Sequence, residues 1–250
     1  MNGFVRKYWK TVLFFALAGL IGGFFTGLYL LDSYPEEIRQ QIAAQGINGF
    51  LLGVITAVQS AGYGLVLGTA GILLGTMTGL WKDERKLEKK PLLWTGIVAV
   101  LGGMFIILPD LLFFGKYSDA IRDSYALKPT VPYILASVIY GGVIEEVMLR
   151  LFAMSLVAFL LQKLFRKETA TTGVLIMANV IAALLFAAAH LPTTAALMGI
   201  TPMILIRCFL LNGGFGLLFG WLYRKFGLRY AMLAHAGCHI VSKLIWILFV

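Results

Sequence analysis

The run Thr11–Leu31, TVLFFALAGLIGGFFTGLYLL, decides the fold class. It carries no charged residue, and about 20 apolar residues are what a helix needs to cross a hydrocarbon core of about 30 Å. Arg6, Lys7 and Lys10 precede it, as basic residues precede a secretory signal. The run is too long for a cleavable h-region, however, and no A-x-A-like site follows, so it reads as a retained first span. Further apolar runs at about 48–81, 92–114, 131–162, 171–191, 202–222 and 229–250 bring the count to seven, with six and eight as the neighbouring counts. The expected fold is an all-α polytopic transmembrane bundle. The glycine-rich stretch 48–81 is long for one crossing and is expected to be tilted, kinked or broken.

Composition agrees. Hydrophobic residues make up 60% of the 250 and charged ones only 13%, against about 25% charged in a soluble domain. The bilayer is the solvent, and membrane lipid is the chain's first partner. A net charge of +9 points to nucleic acid in a soluble protein, but here the basic residues fall mostly in short loops, so no nucleic-acid partner is expected. Arg6/Lys7/Lys10, then Arg85/Lys86/Lys89/Lys90, then Lys163/Arg166/Lys167, then Arg224/Lys225/Arg229 alternate with neutral, acidic or mixed loops. The positive-inside rule then places the N-terminus in the cytoplasm and the C-terminus outside. Compactness and the lack of a targeting peptide point to a bacterial plasma membrane. Cys208 and Cys238 form no C-x-x-C pair and signal neither a disulfide framework nor a redox motif. There is no repeat, no low-complexity tract and no soluble appendage. One polytopic domain therefore divides into 1–129, which carries no recognised motif, and 130–250.

Ionisable groups inside apolar spans are few, and each costs about 2.5–3.5 kcal/mol at a helix centre. Asp110 follows Pro109 at an expected helix break, and Arg207 and Lys243 lie near span ends where they can snorkel. These three read as structural. Glu145, Glu146 and Arg150 stand in I-E-E-V-M-L-R within the fourth span. Glu146 and Arg150, four apart, share a helix face and can pair. Glu145 points about 100° away and is left available. A carboxylate in apolar surroundings serves as a general base or acid when a nearby cation or metal keeps part of it ionised.

All three histidines lie in the last three hydrophobic segments, at F-A-A-A-H (His190) and H-A-G-C-H (His235 and His239). His235 and His239 have the i,i+4 spacing that lets two imidazoles approach one metal, as in zincin helices. Here the carboxylate has to come from another helix, as Glu145. Gly213, Gly214, Gly216 and Gly220 include a four-residue pair that permits close helix packing. Rise along straight spans puts His190 near the outer face and His235 about 9 Å from the inner one. Convergence therefore demands a deeper start to the fifth helix, dipping loops or strong tilt.

The ordered set Glu145-Glu146-x-x-x-Arg150, Phe186-x-x-x-His190 and His235-x-x-x-His239 resembles the CPBP family of intramembrane proteases. That family includes type II CAAX prenyl endopeptidases and bacteriocin-processing or immunity proteins. The likeness covers about 130–245. It implies that Glu145 activates water with help from His190, that His235 and His239 stabilise the oxyanion or bind a metal, and that Glu146 and Arg150 support the geometry. The family usually has Asn or Asp where this chain has His239. Either His239 replaces the amide as a hydrogen-bond donor, or it strengthens a metal site. A zinc ion on Glu145, His190, His235 and His239 and a metal-free acid/base pair both stay open.

The function expected from this resemblance is a membrane endopeptidase acting on a peptide or a lipidated, CAAX-type protein tail. One alternative is a non-catalytic immunity or scaffold protein whose helical groove holds a membrane or secreted peptide partner. Another is a proton-coupled carrier, for which neither an inverted repeat nor paired broken helices speak.

Overall fold

The computed structural model describes residues 2–83 and 86–250. Arg85, counted above in a basic loop, lies outside the described residues. Among those residues there is helix and no strand. Helices α1 (Asn2–Ser33), α2 (Glu36–Ala44), α3 (Gly49–Thr78), α4 (Lys89–Leu112) and α5 (Asp119–Ser124) precede a long helical segment over 131–164. That segment opens as α6 (Val131–Leu135), closes as α7 (Ser155–Leu164), and is π-helical between them over Ala136–Glu145 and Val147–Met154. Then come α8 (Thr172–Ala189), α9 (Leu191–Met198), α10 (Pro202–Cys208), a π-helical turn Phe209–Gly213, α11 (Gly214–Phe226) and α12 (Leu228–Phe249).

Six stretches are long and apolar enough to cross a membrane: Arg6–Ser33, Gly49–Thr78, Lys89–Lys116, Thr172–Met198, Pro202–Phe226 and Leu228–Phe249. The 131–164 segment is the seventh, set apart because π-helical stretches divide it into short pieces. The chain is a multi-pass membrane protein. Leucine, phenylalanine and valine side chains such as Phe14, Val58, Val66 and Leu101 stay exposed on the outside of the bundle, where acyl chains take the place of water.

The span starts are fixed by hydroxyls and an amide. Asn48, Thr130, Thr171 and Thr201 each accept a hydrogen bond from the backbone N–H three residues on, satisfying donors that lipid cannot. The glycines of 48–81 do not break that stretch. α3 is one continuous helix, ended by Gly79 at φ +75°, a left-handed turn that glycine adopts without strain. Its small residues instead let α1 close in. A Cβ on Gly64 would lie 2.6 Å from the Phe15 carbonyl, and one on Gly27 would lie 2.7 Å from the Gly53 Cα. The Thr56 hydroxyl donates across the seam to the Gly23 carbonyl at 2.7 Å.

Two further expectations about helix ends change. α4 runs through Pro109 to Leu112 rather than breaking there. The fifth span does not stop at 191: α9 continues it past His190, with Pro192 in the first turn, where a missing N–H costs nothing, and Gly199 at φ +70° ends it. His190 therefore sits inside a crossing of 27 residues, which removes most of its expected displacement towards the outer face.

Three of the basic stretches meet at one end of the bundle, around Lys10, Lys86 and Arg229. Lys7 pairs with Asp83 at 2.9 Å, and the Lys82 ammonium donates to the Lys225 carbonyl. The core between the spans is built from Phe15, Ile72, Val147, Leu151, Phe219 and Leu222 with the small residues of α8. Gly216 and Gly220 on α11 press against Ala183 and Asn179 of α8, so this glycine pair does the packing work expected of it.

Candidate active site

The 131–164 segment and α12 run antiparallel and in contact. Gly142 faces Ala236, where a Cβ would meet the alanine Cβ at 2.7 Å, and Gly141 faces His239 and His235. Two adjacent glycines thus bring a backbone carrying Glu145 and Glu146 directly onto the helix carrying the histidines. The i→i+5 hydrogen bonding of this stretch is of a kind that concentrates at functional sites.

Glu146 is fully buried. Its Oε1 accepts from His235 Nδ1 at 2.8 Å and lies 3.5 Å from an Arg150 terminal nitrogen. A carboxylate only accepts here, so the His235 proton on that side is on Nδ1, and Nε2 faces the other way. It faces Glu145, whose Oε2 is 3.9 Å off, too far for a direct hydrogen bond. Glu145 is the exposed member of the pair, with 20% of its side chain accessible against none for Glu146. The expectation that one glutamate is held and the other free matches this arrangement.

Arg150 is the largest fully buried side chain of the molecule among the described residues. It makes no hydrogen bond through either terminal nitrogen. Instead its guanidinium lies 4.4 Å from the centre of the Phe186 ring and 5.5 Å from that of Phe219, an aromatic berth suited to a planar cation. Phe219 in turn stacks on His235 at 4.5 Å and 20°. Neither aromatic role is visible in the sequence, where Phe186 is only a motif position and Phe219 one of 18 phenylalanines.

The outer histidines are held differently. His239 tilts against His235 at 5.0 Å and has a buried Nδ1 without a partner; its Nε2 is the side turned to Gly141. His190 donates from Nδ1 to the Phe186 carbonyl at 2.9 Å, which leaves Nε2 as its free nitrogen. It reaches the rest of the cluster through the Phe186 ring, edge-on to His190 at 4.7 Å and to His235 at 6.1 Å. Helical side chains lean back towards the N-terminus, so the two α8 groups hang down to the level of α12.

Glu145, Glu146, Arg150, His235 and His239 thus form one connected cluster through His235 and Glu146, with His190 one ring away. The Nδ1 contacts of His190 and His235 leave the Nε2 of each free, and among the described residues no three His, Cys, Asp or Glu side chains form a metal-holding group.

Asp110 and Arg207 lie apart from this cluster. Arg207 does not snorkel: it grips Asp110 through two hydrogen bonds of 2.6 Å, and the Tyr125 hydroxyl donates to the same carboxylate at 2.8 Å. Tyr125 lies in the loop outside the spans. Its burial, and then the neighbouring carboxylate, push its phenol well above the ordinary value, so it stays a donor.

Residues 127–241 match the family model described as Type II CAAX prenyl endopeptidase Rce1-like. The comparison with curated proteins and that with solved structures gave no match.

Proposed function

We propose, from the match of residues 127–241 to the Rce1-like family model of type II CAAX prenyl endopeptidases, that this chain is an intramembrane endopeptidase. Its substrate is a peptide or the lipidated, CAAX-type tail of a protein, and Glu145 is its general base. The observation that carries this reading is the 3.9 Å gap between Glu145 Oε2 and His235 Nε2, two proton acceptors facing each other. Residues 130–250 form the catalytic core, in a bacterial plasma membrane with the N-terminus cytoplasmic.

In this reading a water donates one hydrogen to Glu145 and the other to His235 Nε2. Glu145 takes the first proton as the oxygen attacks the scissile carbonyl, and delivers it to the amine nitrogen as the C–N bond breaks. Glu146 fixes the tautomer and orientation of His235, and Arg150 places a positive charge 3.5 Å from Glu146. His239, with its proton on Nε2, donates to the oxyanion in place of the amide usual at this position. His190 offers its free Nε2 as a relay. No step is routed through a metal.

The test is cleavage of a fluorogenic prenylated CAAX-type peptide and of a bacteriocin-precursor peptide by purified protein, wild type beside Glu145→Ala, with metal content measured on the same samples. Loss of a general base is expected to cost about 10²–10⁴-fold in rate with insertion and folding intact. Zinc at one per chain, lost together with activity on chelation, would give Glu145, His235 and His239 a ligand role instead. Failure of the wild type to cleave either peptide would turn the same groove into that of an immunity or scaffold protein.

A further inference from the structure

Lys243 departs from its expected behaviour more than any other charged side chain. A lysine two turns from the end of α12 has the length to snorkel, yet it is only 4% exposed, and its ammonium lies 4.0 Å from the centre of the Tyr133 ring. Tyr133 is fixed there by Tyr29, stacked on it at 4.4 Å, and by Trp246 at 6.1 Å. Among the described residues Lys243 makes no ion pair, and the Asp110 carboxylate is taken up by Arg207 and Tyr125. Trp246, three residues on, has an indole N–H that is buried without an acceptor. The Lys243 ammonium thus has an aromatic ring but no anion beside it, and the Trp246 indole N–H has no acceptor. Burying an ammonium without an anion is among the costlier things a fold can do. The missing partner is an anion with hydrogen-bond acceptors.

Its place in the bundle says which. Along the seam between α12 and the 131–145 stretch, His235 faces Glu145, His239 faces Gly141, and Lys243 faces Tyr133. The three α12 residues are spaced by four and share one face. From His235 to Lys243 the helix rises about 12 Å. An extended peptide advances about 3.3 Å per residue, so a tail of three residues covers most of that distance.

We propose that Lys243, assisted by Trp246, is the docking point for the C-terminal carboxylate of the substrate, and that its separation from the Glu145–His235 gap sets the cut about three residues from the chain end. The proposal rests on the peptidase reading.

The experiment compares two prenylated peptides identical except that one ends in a free carboxylate and the other in a carboxamide. Each is measured for kcat/KM on wild type and Lys243→Met, and for binding by fluorescence anisotropy to Glu145→Gln protein. Wild type is expected to favour the acid by about tenfold or more, the scale of a desolvated charge contact, with the difference lying in KM. In Lys243→Met the acid-to-amide ratio is expected to fall to within about twofold of one. A wild-type ratio near one overturns the proposal whether or not the variant folds, and a preference that survives in Lys243→Met overturns the role of Lys243. Binding that favours the acid while neither peptide is cleaved supports the carboxylate site and overturns the peptidase reading alone, so the two failures are distinguishable.

Discussion

Two buried carboxylate–arginine pairs sit in this bundle, and they are built in opposite ways. At Asp110 every oxygen is used: Arg207 donates twice at 2.6 Å and Tyr125 once at 2.8 Å. At Glu146 the arginine stands off at 3.5 Å, neither of its terminal nitrogens is bonded, one carboxylate oxygen has no partner, and the short contact goes to a histidine. A saturated pair has no capacity left for a ligand and can only hold helices together. An unsaturated one keeps its charge available to its neighbours, which is what a pair supporting a proton-transfer site requires.

Isosteric neutralisation of each acid sharpens that contrast. Asp110→Asn leaves Arg207 buried without its counter-ion and is expected to lower the unfolding free energy by about 3–5 kcal/mol, read from detergent or denaturant unfolding, with cleavage per folded molecule retained. Glu146→Gln is expected to do the reverse. The amide oxygen still accepts from His235, so stability falls by less than half of the Asp110→Asn loss, while kcat drops by about 100-fold as the imidazole loses its anionic support. Equal destabilisation by the two substitutions would break the comparison. The smallest effect belongs to Tyr125→Phe, which removes one of three bonds to Asp110 and is expected to cost about 1 kcal/mol by the same unfolding measurement, without altering kcat.

Much of this was legible in the sequence because the bilayer imposes simple rules. Seven apolar runs gave seven helical segments, and the four-residue step from Glu146 to Arg150 put them on one face. What escaped was non-local or a matter of register. Nothing in ASVIYGGVIE distinguishes an i→i+5 ladder from an i→i+4 one, since both bury the same apolar residues. Pro192 looks like an end to a span, but it is tolerated in the first turn of the helix that continues it. Arg207 and Lys243 have side chains long enough to reach an interface, and only the positions of Asp110 and Tyr133, far away in sequence, decide that they turn inward. The seating of Arg150 on Phe186 and Phe219 is a property of three helices meeting.

The α1–α3 seam has one more consequence. At 1.5 Å per residue the two helices measure about 48 and 45 Å, against about 30 Å of hydrocarbon, and their interlocked glycines make them a single plank that must lean to fit. The same plank touches the π-helical stretch: a Cβ on Gly22 would lie 2.8 Å from the Tyr140 nitrogen, five residues before Glu145. The slope of the plank thus bears on the backbone that carries Glu145, so the thickness of the surrounding lipid is a dimension of this site.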